Sequence, residues 1–250
     1  MPRSQSSPSI RSIRLSCRTR TPLHFTRFWL ETIAEWEEET GQHPLIALSC
    51  TKDVQDSILA DPKLRKVVDI IDIRYWHYNT KELWAPEGGR NLAPRQWMRK
   101  IKVGKTGFEE AYRSVAEYRN RYPEKAVTFF SQQYPTYGWA ILLAGGSLPN
   151  IPLNAQHSTL NAQLLKDICQ MKPLEDSNCI ALGAPQKGYL VYAPSSETSL
   201  SIASGKYNIY TIDMQTGDIS LLQKGTRLQD TFRPNDSKGN KLYWLHPAQR

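Results

Sequence analysis

The chain has 250 residues, 40% of them apolar and 22% charged, with a formal net charge of +8. No apolar run is long enough to cross a bilayer, so a globular chain of one or two domains is expected and a membrane partner is not. The excess charge is local: residues 1–27 carry six of the 32 basic residues and none of the 24 acidic ones. The remainder is close to neutral, which argues against a nucleic-acid partner.

Residues 1–22 are rich in Arg and Ser. They lack the apolar core of a secretory signal, resemble a transit peptide only superficially, and read as a disordered basic tail. Cys17, Cys50, Cys169 and Cys179 have no C-x-x-C spacing, which excludes the usual zinc pattern and a disulfide framework. A Cys169–Cys179 pair stays open beside the reading of both as thiols.

The first helix is expected over His24–Thr40, with Phe25, Phe28, Trp29, Ile33 and Trp36 on its apolar face and Gly41 as its stop. Leu45–Ser49 has the length of a buried strand. Val54, Ile58 and Leu59 suggest a helix ending near Asp61-Pro62, and Val67–Ile73, β-branched and nearly continuous, reads as an inner parallel strand. A long polar loop follows Arg74–Tyr78. Thr106-Gly107-Phe108-Glu109 fits a capping box opening a helix through Arg119. Ala126–Phe130 is the next strand, and Tyr137–Ala144 a short buried helix closed by Gly145-Gly146, with Trp139 in the core. A further amphipathic helix carries Leu160, Leu164, Ile168 and Met171.

From Cys179 the pattern changes to short strands: 179–182, 189–193, 200–202, 207–212, 219–222 and 242–245, with a turn at Asp213–Asp218. Such spacing suggests a small all-β sandwich. The alternation of helices and strands before it suggests βα units around a parallel sheet. Three or four strands cannot close an eight-stranded barrel of about 250 residues. The sheet is therefore either open and doubly wound or part of a barrel.

Phe25–Trp36 followed by HPLIALS, DIIDIRYWHY, APEGGRNLAPRQ, YGWAILLAGGS and YLVYAPS…YNIYTIDMQTGDI resembles bacterial glycoside hydrolases related to the apiosidase-like barrels that carry a C-terminal collagen-binding-type β domain. The resemblance spans about Leu23 to Leu245. It implies an α/β fold: the C-terminal half of a (β/α)8 TIM-type barrel over 23–175, then a β-sandwich domain over 176–250. It also implies an oligo- or polysaccharide ligand and a secreted or periplasmic setting, although no signal peptide is legible here. The general acid/base of such enzymes is expected just upstream of Leu23, so the chain reads as truncated and catalytically incomplete. The alternative is a non-catalytic module that binds carbohydrate or protein.

Glycoside hydrolysis needs two carboxylates at the C-terminal ends of barrel strands. Glu87, in the Gly-rich loop after the second strand, is the candidate catalytic acid; a solvated turn residue is the competing reading. Asp72 lies inside the strand and reads equally as a structural carboxylate. After the third strand the chain has Ser131-Gln132-Gln133-Tyr134, with no carboxylate where a nucleophile is expected. Candidate saccharide-binding residues are Lys52, Asp53, Arg74, Tyr75, His77, Tyr78, Arg90, Asn91, Arg95, Gln133 and Tyr137, because aromatic faces stack on sugars while Arg and His bond hydroxyls. No metal or organic cofactor is expected. An incomplete barrel would expose strand edges, so self-association through them is expected.

Overall fold

The computed structural model describes residues 12–16, 22–80, 82–84, 106–130, 135–174, 179–195, 197–234 and 241–248. The protein is mixed α/β and divides into two compact units, Met1–Phe130 and Ser131–Arg250. The boundary expected near residue 175 falls inside the second unit.

The first unit is built on a four-stranded parallel sheet. Its strands β1 (Ser12–Ser16), β2 (Leu45–Ser49), β3 (Ile70–Ile73) and β6 (Ala126–Phe129) lie in sequential order. Helices α1 (Pro22–Thr40), α2 (Lys52–Ala60), α3 (Pro62–Val67) and α4 (Phe108–Arg121) occupy the connections, with the two-residue strands β4 (His77–Tyr78) and β5 (Leu83–Trp84) after β3. Pairing register sorts the sheet into two faces. Ile46, Leu48, Ile71, Ile73 and Val127, all buried, share one; Ala47, Ser49, Ile70, Asp72, Ala126 and Thr128 share the other.

Four expectations are corrected here. Residues 12–16 are not tail but β1, parallel to β2; the alternation of Ile13 and Leu15 with Ser12, Arg14 and Ser16 is strand-like, and the surrounding arginines mask it. In α1 the buried face is Thr26, Leu30 and Ile33, whereas Phe25, Phe28, Trp29 and Trp36 are exposed; the helix carries two apolar stripes, and periodicity does not say which meets the sheet. Val67 ends a helix and does not start a strand: Asp61 accepts from the Lys63 N–H at 3.0 Å and Pro62 occupies the first helical position, so a new helix begins at once. The Thr106 capping box does not form; Gly107 is the N-cap, without a side-chain cap, and Glu109 and Glu110 complement the helix dipole.

The second unit begins with α5 (Pro135–Leu143), in which Tyr137, Trp139, Ala140, Ile141 and Leu143 are buried. Gly145 (φ +71°) closes it, its N–H and that of Gly146 donating to Leu142 and Ile141 carbonyls. After α6 (Ser158–Ile168) come β7 (Lys172–Pro173), β8 (Ile180–Ala184), β9 (Gly188–Ala193), β10 (Leu200–Ser201), β11 (Gly205–Ile212), β12 (Ile219–Leu228), β13 (Thr231–Phe232) and β14 (Lys241–Pro247). Six strands form an antiparallel sheet in the order β12-β11-β14-β9-β8-β7, and β10 pairs with β13. Tyr189, Val191, Tyr207, Ile209, Tyr243 and Leu245 pack with Leu200, Ile202 and Phe232 in one core. The opposite face carries Trp244 and His246, whose Nδ1 lies 2.9 Å from Asp167 of α6. The expected turn forms: Gln215 and Thr216 N–H donate to Asp213, and Gly217 has φ +75°.

Gly188 has φ +97°, and a Cβ there would stand 1.8 Å from the Leu245 carbonyl oxygen. Gly188→Ala is expected to cost about 3–4 kcal/mol, since strain at positive φ adds to a backbone clash in the β9–β14 ladder. Urea unfolding checks it; a loss under 1 kcal/mol (~1, within the ordinary surface range) would contradict it.

Candidate functional site

The C-terminal ends of the parallel strands converge on Asp72, which is 4% exposed. In-register neighbours reach it from both sides: Ser49 Oγ on β2 donates to Oδ2 at 2.8 Å, and Thr128 Oγ1 on β6 donates to Oδ1 at 2.9 Å. Two residues on, Arg74 Nε donates to Oδ2 at 3.0 Å. The Arg74 guanidinium also lies 4.3 Å from the ring centroid of Phe130, itself 43% exposed. Strands β2, β3 and β6 thus each contribute one polar group to a shared face, and beyond the last residue of β3 an arginine is clamped between a carboxylate and an aromatic ring. Among the described residues, the guanidinium fork of Arg74 bonds Asp72 through Nε. Such a fork, with a neighbouring ring face, is a hydroxyl- and anion-binding arrangement.

A second polar cluster lies between α2 and α4. Lys52 Nζ donates to Asp56 at 2.9 Å and Glu117 at 2.7 Å, and stands 4.9 and 5.0 Å from the Trp76 and Tyr118 ring centroids. The remaining carboxylate oxygens accept from Tyr118 (2.8 Å) and Tyr78 (2.7 Å). Burial, reinforced by the Glu117 carboxylate, pushes the Tyr78 phenol up to about 12. Burial and then Asp56 likewise raise Tyr118. Trp76 Nε1 donates to Gln55 Oε1 at 2.7 Å, while Gln55 Nε2 donates to the Leu48 and Asp72 carbonyls at 2.8 and 3.0 Å. Gln55 therefore satisfies backbone acceptors at the ends of β2 and β3.

Of the sequence-derived candidates, Arg74 sits on the polar face. Lys52 and Tyr78 are engaged in the α2–α4 cluster, where their polar ends serve each other's carboxylate partners. Asp53 is exposed on the first turn of α2, and Tyr75 and His77 are partly exposed in the segment after β3. Tyr137 is 8% exposed within α5 of the second unit. Glu87, Arg90, Asn91, Arg95 and Gln133 lie outside the described residues. Ser49, Thr128 and Phe130 were missed by sequence reasoning. The available signal was parity: LIALS, IIDI and AVTF each hold one polar residue at an alternate position of an otherwise apolar strand. Among the described residues there is no group of three or more His, Cys, Asp or Glu positioned to hold a metal ion, and no helix long and apolar enough to cross a membrane.

Among solved structures, the chain is similar to one described as a glycoside hydrolase, with 12% identity and a TM-score of 0.50 over 88% of this chain and 61% of that one. It is also similar to a glycoside hydrolase family 5 structure from Bacteroides vulgatus ATCC 8482, with 12% identity and a TM-score of 0.48 over 87% of this chain and 58% of that one. The first of these likenesses concerns the fold alone, and the chain spans about three fifths of the length of either structure. No curated protein matches the sequence. The family described as a domain of unknown function, DUF6298, matches residues 10–171, from just ahead of β1 to just past α6. The match covers more than half of the sequence, and the chain belongs to the DUF6298 family.

Proposed function

We propose that this chain is the saccharide-binding part of a glycoside-hydrolase-like, carbohydrate-active protein, and that by itself it binds glycan without cleaving it. The observation that carries the reading is the Asp72–Arg74–Phe130 arrangement at the C-terminal ends of the parallel strands, the end at which barrel enzymes hold their substrates. Strand order supports a partial barrel over a doubly wound sheet. The order is sequential without reversal, and right-handed crossovers then put every helix on one side, leaving Ser49, Asp72 and Thr128 on the side that becomes a barrel interior. The division into a C-terminal half-barrel to about 175 and a β-sandwich beyond is part of the same reading; the core shared by the six-stranded sheet and the β10–β13 pair supports the sandwich.

Hydrolysis requires a pair of carboxylates about 5–10 Å apart. Asp72 is the one carboxylate that the described residues bring to the polar face, and it is occupied by three donors. The candidate acid Glu87 and the candidate ligands Arg90, Asn91 and Arg95 belong to this proposal, as does the apiosidase-like resemblance; the alternative is a non-catalytic binding module whose β domain is of the collagen-binding type.

The test is a glycan array followed by titration calorimetry with the polysaccharide retained. Arg74→Ala and Phe130→Ala are each expected to weaken binding about tenfold, the effect of losing one charged hydrogen bond or one stacking face. Reducing-sugar release should stay at background. Retention of no glycan, or affinities unchanged in both variants, would refute the proposal.

A further inference from the structure

In the second unit the neighbouring strands β12, β11 and β14 carry charge of one sign. They hold Lys206, Lys224, Arg227 and Lys241, and their sequences contain no aspartate or glutamate. Lys206 on β11 and Arg227 on β12 are both exposed and stand directly opposite each other in register. Like charges at opposed positions of an antiparallel pair repel, so this pairing costs the sheet stability unless an anion meets it.

Alternation decides which face they occupy. Tyr207, Ile209 and Leu228 pack in the core shared with β10 and β13. Lys206, Asn208, Tyr210 and Arg227 therefore lie on the other face, with Leu221 opposite Tyr210. Toward β14 that face is closed: Trp244 is fully buried, and His246 lies 2.9 Å from Asp167 of α6. Toward β12 it opens, where Leu221 is 51% exposed and Tyr210 and Asn208 are partly exposed. Tyr210 stacks on Trp244 with 4.9 Å between centroids, and the Gly225 N–H donates to Asn208 Oδ1 at 2.9 Å. The outcome is a shelf with two cations at one end, a fixed carboxamide in the middle, and a tyrosine beside a leucine at the other end. From Lys206 to Tyr210 the extended backbone runs about 13 Å, longer than one sugar ring.

We infer that this shelf is a second carbohydrate site, which takes a stretch of acidic polysaccharide. A uronic-acid carboxylate sits between Lys206 and Arg227, and the C–H face of a sugar further along the chain packs on Tyr210 and Leu221. The guanidinium fork of Arg227 matches a planar carboxylate, Lys206 adds a point charge, and the Asn208 amide bonds a sugar hydroxyl. The inference rests on the reading of the chain as carbohydrate-active, but it uses none of the residues around Arg74.

Titration calorimetry of the full chain tests it with polygalacturonate, alginate and glucuronate-substituted xylan, and with methyl-esterified polygalacturonate as the uncharged control. Binding of at least one uronate polymer, and not of the ester, is expected. Lys206→Gln and Arg227→Gln should each weaken it about fivefold and together at least about tenfold, the loss of one and two charged hydrogen bonds at an exposed site. Lys172→Gln removes the same charge from exposed β7 at the far edge of the sheet and should change nothing. Thermal unfolding of the shelf variants should match wild type, since both side chains are exposed. Binding of no uronate polymer, equal binding of the ester, or a loss no larger in the shelf variants than in Lys172→Gln would overturn the inference, as would tighter binding of sulfated dextran or duplex DNA than of any uronate. Arg74→Ala reads the other site separately. Glycan binding lost in that variant while the shelf variants stay silent would sink the shelf alone, and the reverse pattern would sink the Arg74 reading alone.

Discussion

Asp72→Ala is expected to lower the unfolding free energy by about 3–5 kcal/mol, the range seen when one partner of a buried ion pair is removed. The carboxylate accepts from Ser49, Thr128 and Arg74, so its loss leaves two hydroxyls and a guanidinium without their acceptor at the centre of the parallel sheet. Each buried donor left unmade costs its desolvation, about 1–3 kcal/mol, although partial relaxation toward water keeps the sum below simple addition. Asp72→Asn separates charge from shape. The amide oxygen keeps one acceptor, while its NH2 group faces donors, so an intermediate loss of about 2 kcal/mol is expected. Urea denaturation of the three proteins checks the order Asp, Asn, Ala. If alanine costs less than 1 kcal/mol (~1, the value of an exposed pair), the clamp on Arg74 is not an organising feature of the sheet.

The second large effect is at Lys52, whose side chain is 9% exposed between Asp56 and Glu117. Lys52→Met preserves the stem that lies over Trp76 and Tyr118 but removes the charge that holds two carboxylates together. Repulsion between them then acts alongside the lost hydrogen bonds. Arg121, 3.9 Å from Asp56 and 3.7 Å from Glu117 and half-exposed, compensates in part. The expected cost is about 2–4 kcal/mol, less than for a fully buried pair because both acids keep some contact with water. Lys52→Met combined with Glu117→Gln should recover about 1 kcal/mol or more relative to the single variant, since the repulsion is gone. Thermal and urea unfolding of the cycle measures the coupling; strictly additive losses would mean that the lysine acts by packing alone.

These two clusters show why a list of polar residues near strand ends divides as it does. Arg74 and Lys52 both follow a parallel strand within three residues, and the same chemistry recommends both as saccharide ligands. Lys52 is on the first turn of a helix, however, and turns toward α4, where Glu117 is 65 positions away. Arg74 continues the alternation of β3 and stays with Asp72. The cluster around Lys52 joins α2, α4 and the segment after β3, and through Gln55 it positions the strand ends on which Arg74 sits.

Local order was legible because it depends on local physics. Leu45–Ser49, the helices near 54–60 and 108–121, the buried Trp139, the glycine stop after α5 and the Asp213–Asp218 turn all follow from periodicity, helix-end chemistry and the φ that Gly217 supplies. The change from βα alternation to short strands near 179 was readable for the same reason. Tertiary structure alone decided that residues 12–16 form an edge strand, that α1 buries Thr26, Leu30 and Ile33 and leaves its aromatic flank outside, and that Asp72 gathers donors 23 and 56 positions away. Those outcomes depend on which strands become neighbours. Apolar spacing encodes the faces of each element, but the partner of each face is chosen only when the sheet assembles and distant groups such as Ser49 and Thr128 meet Asp72.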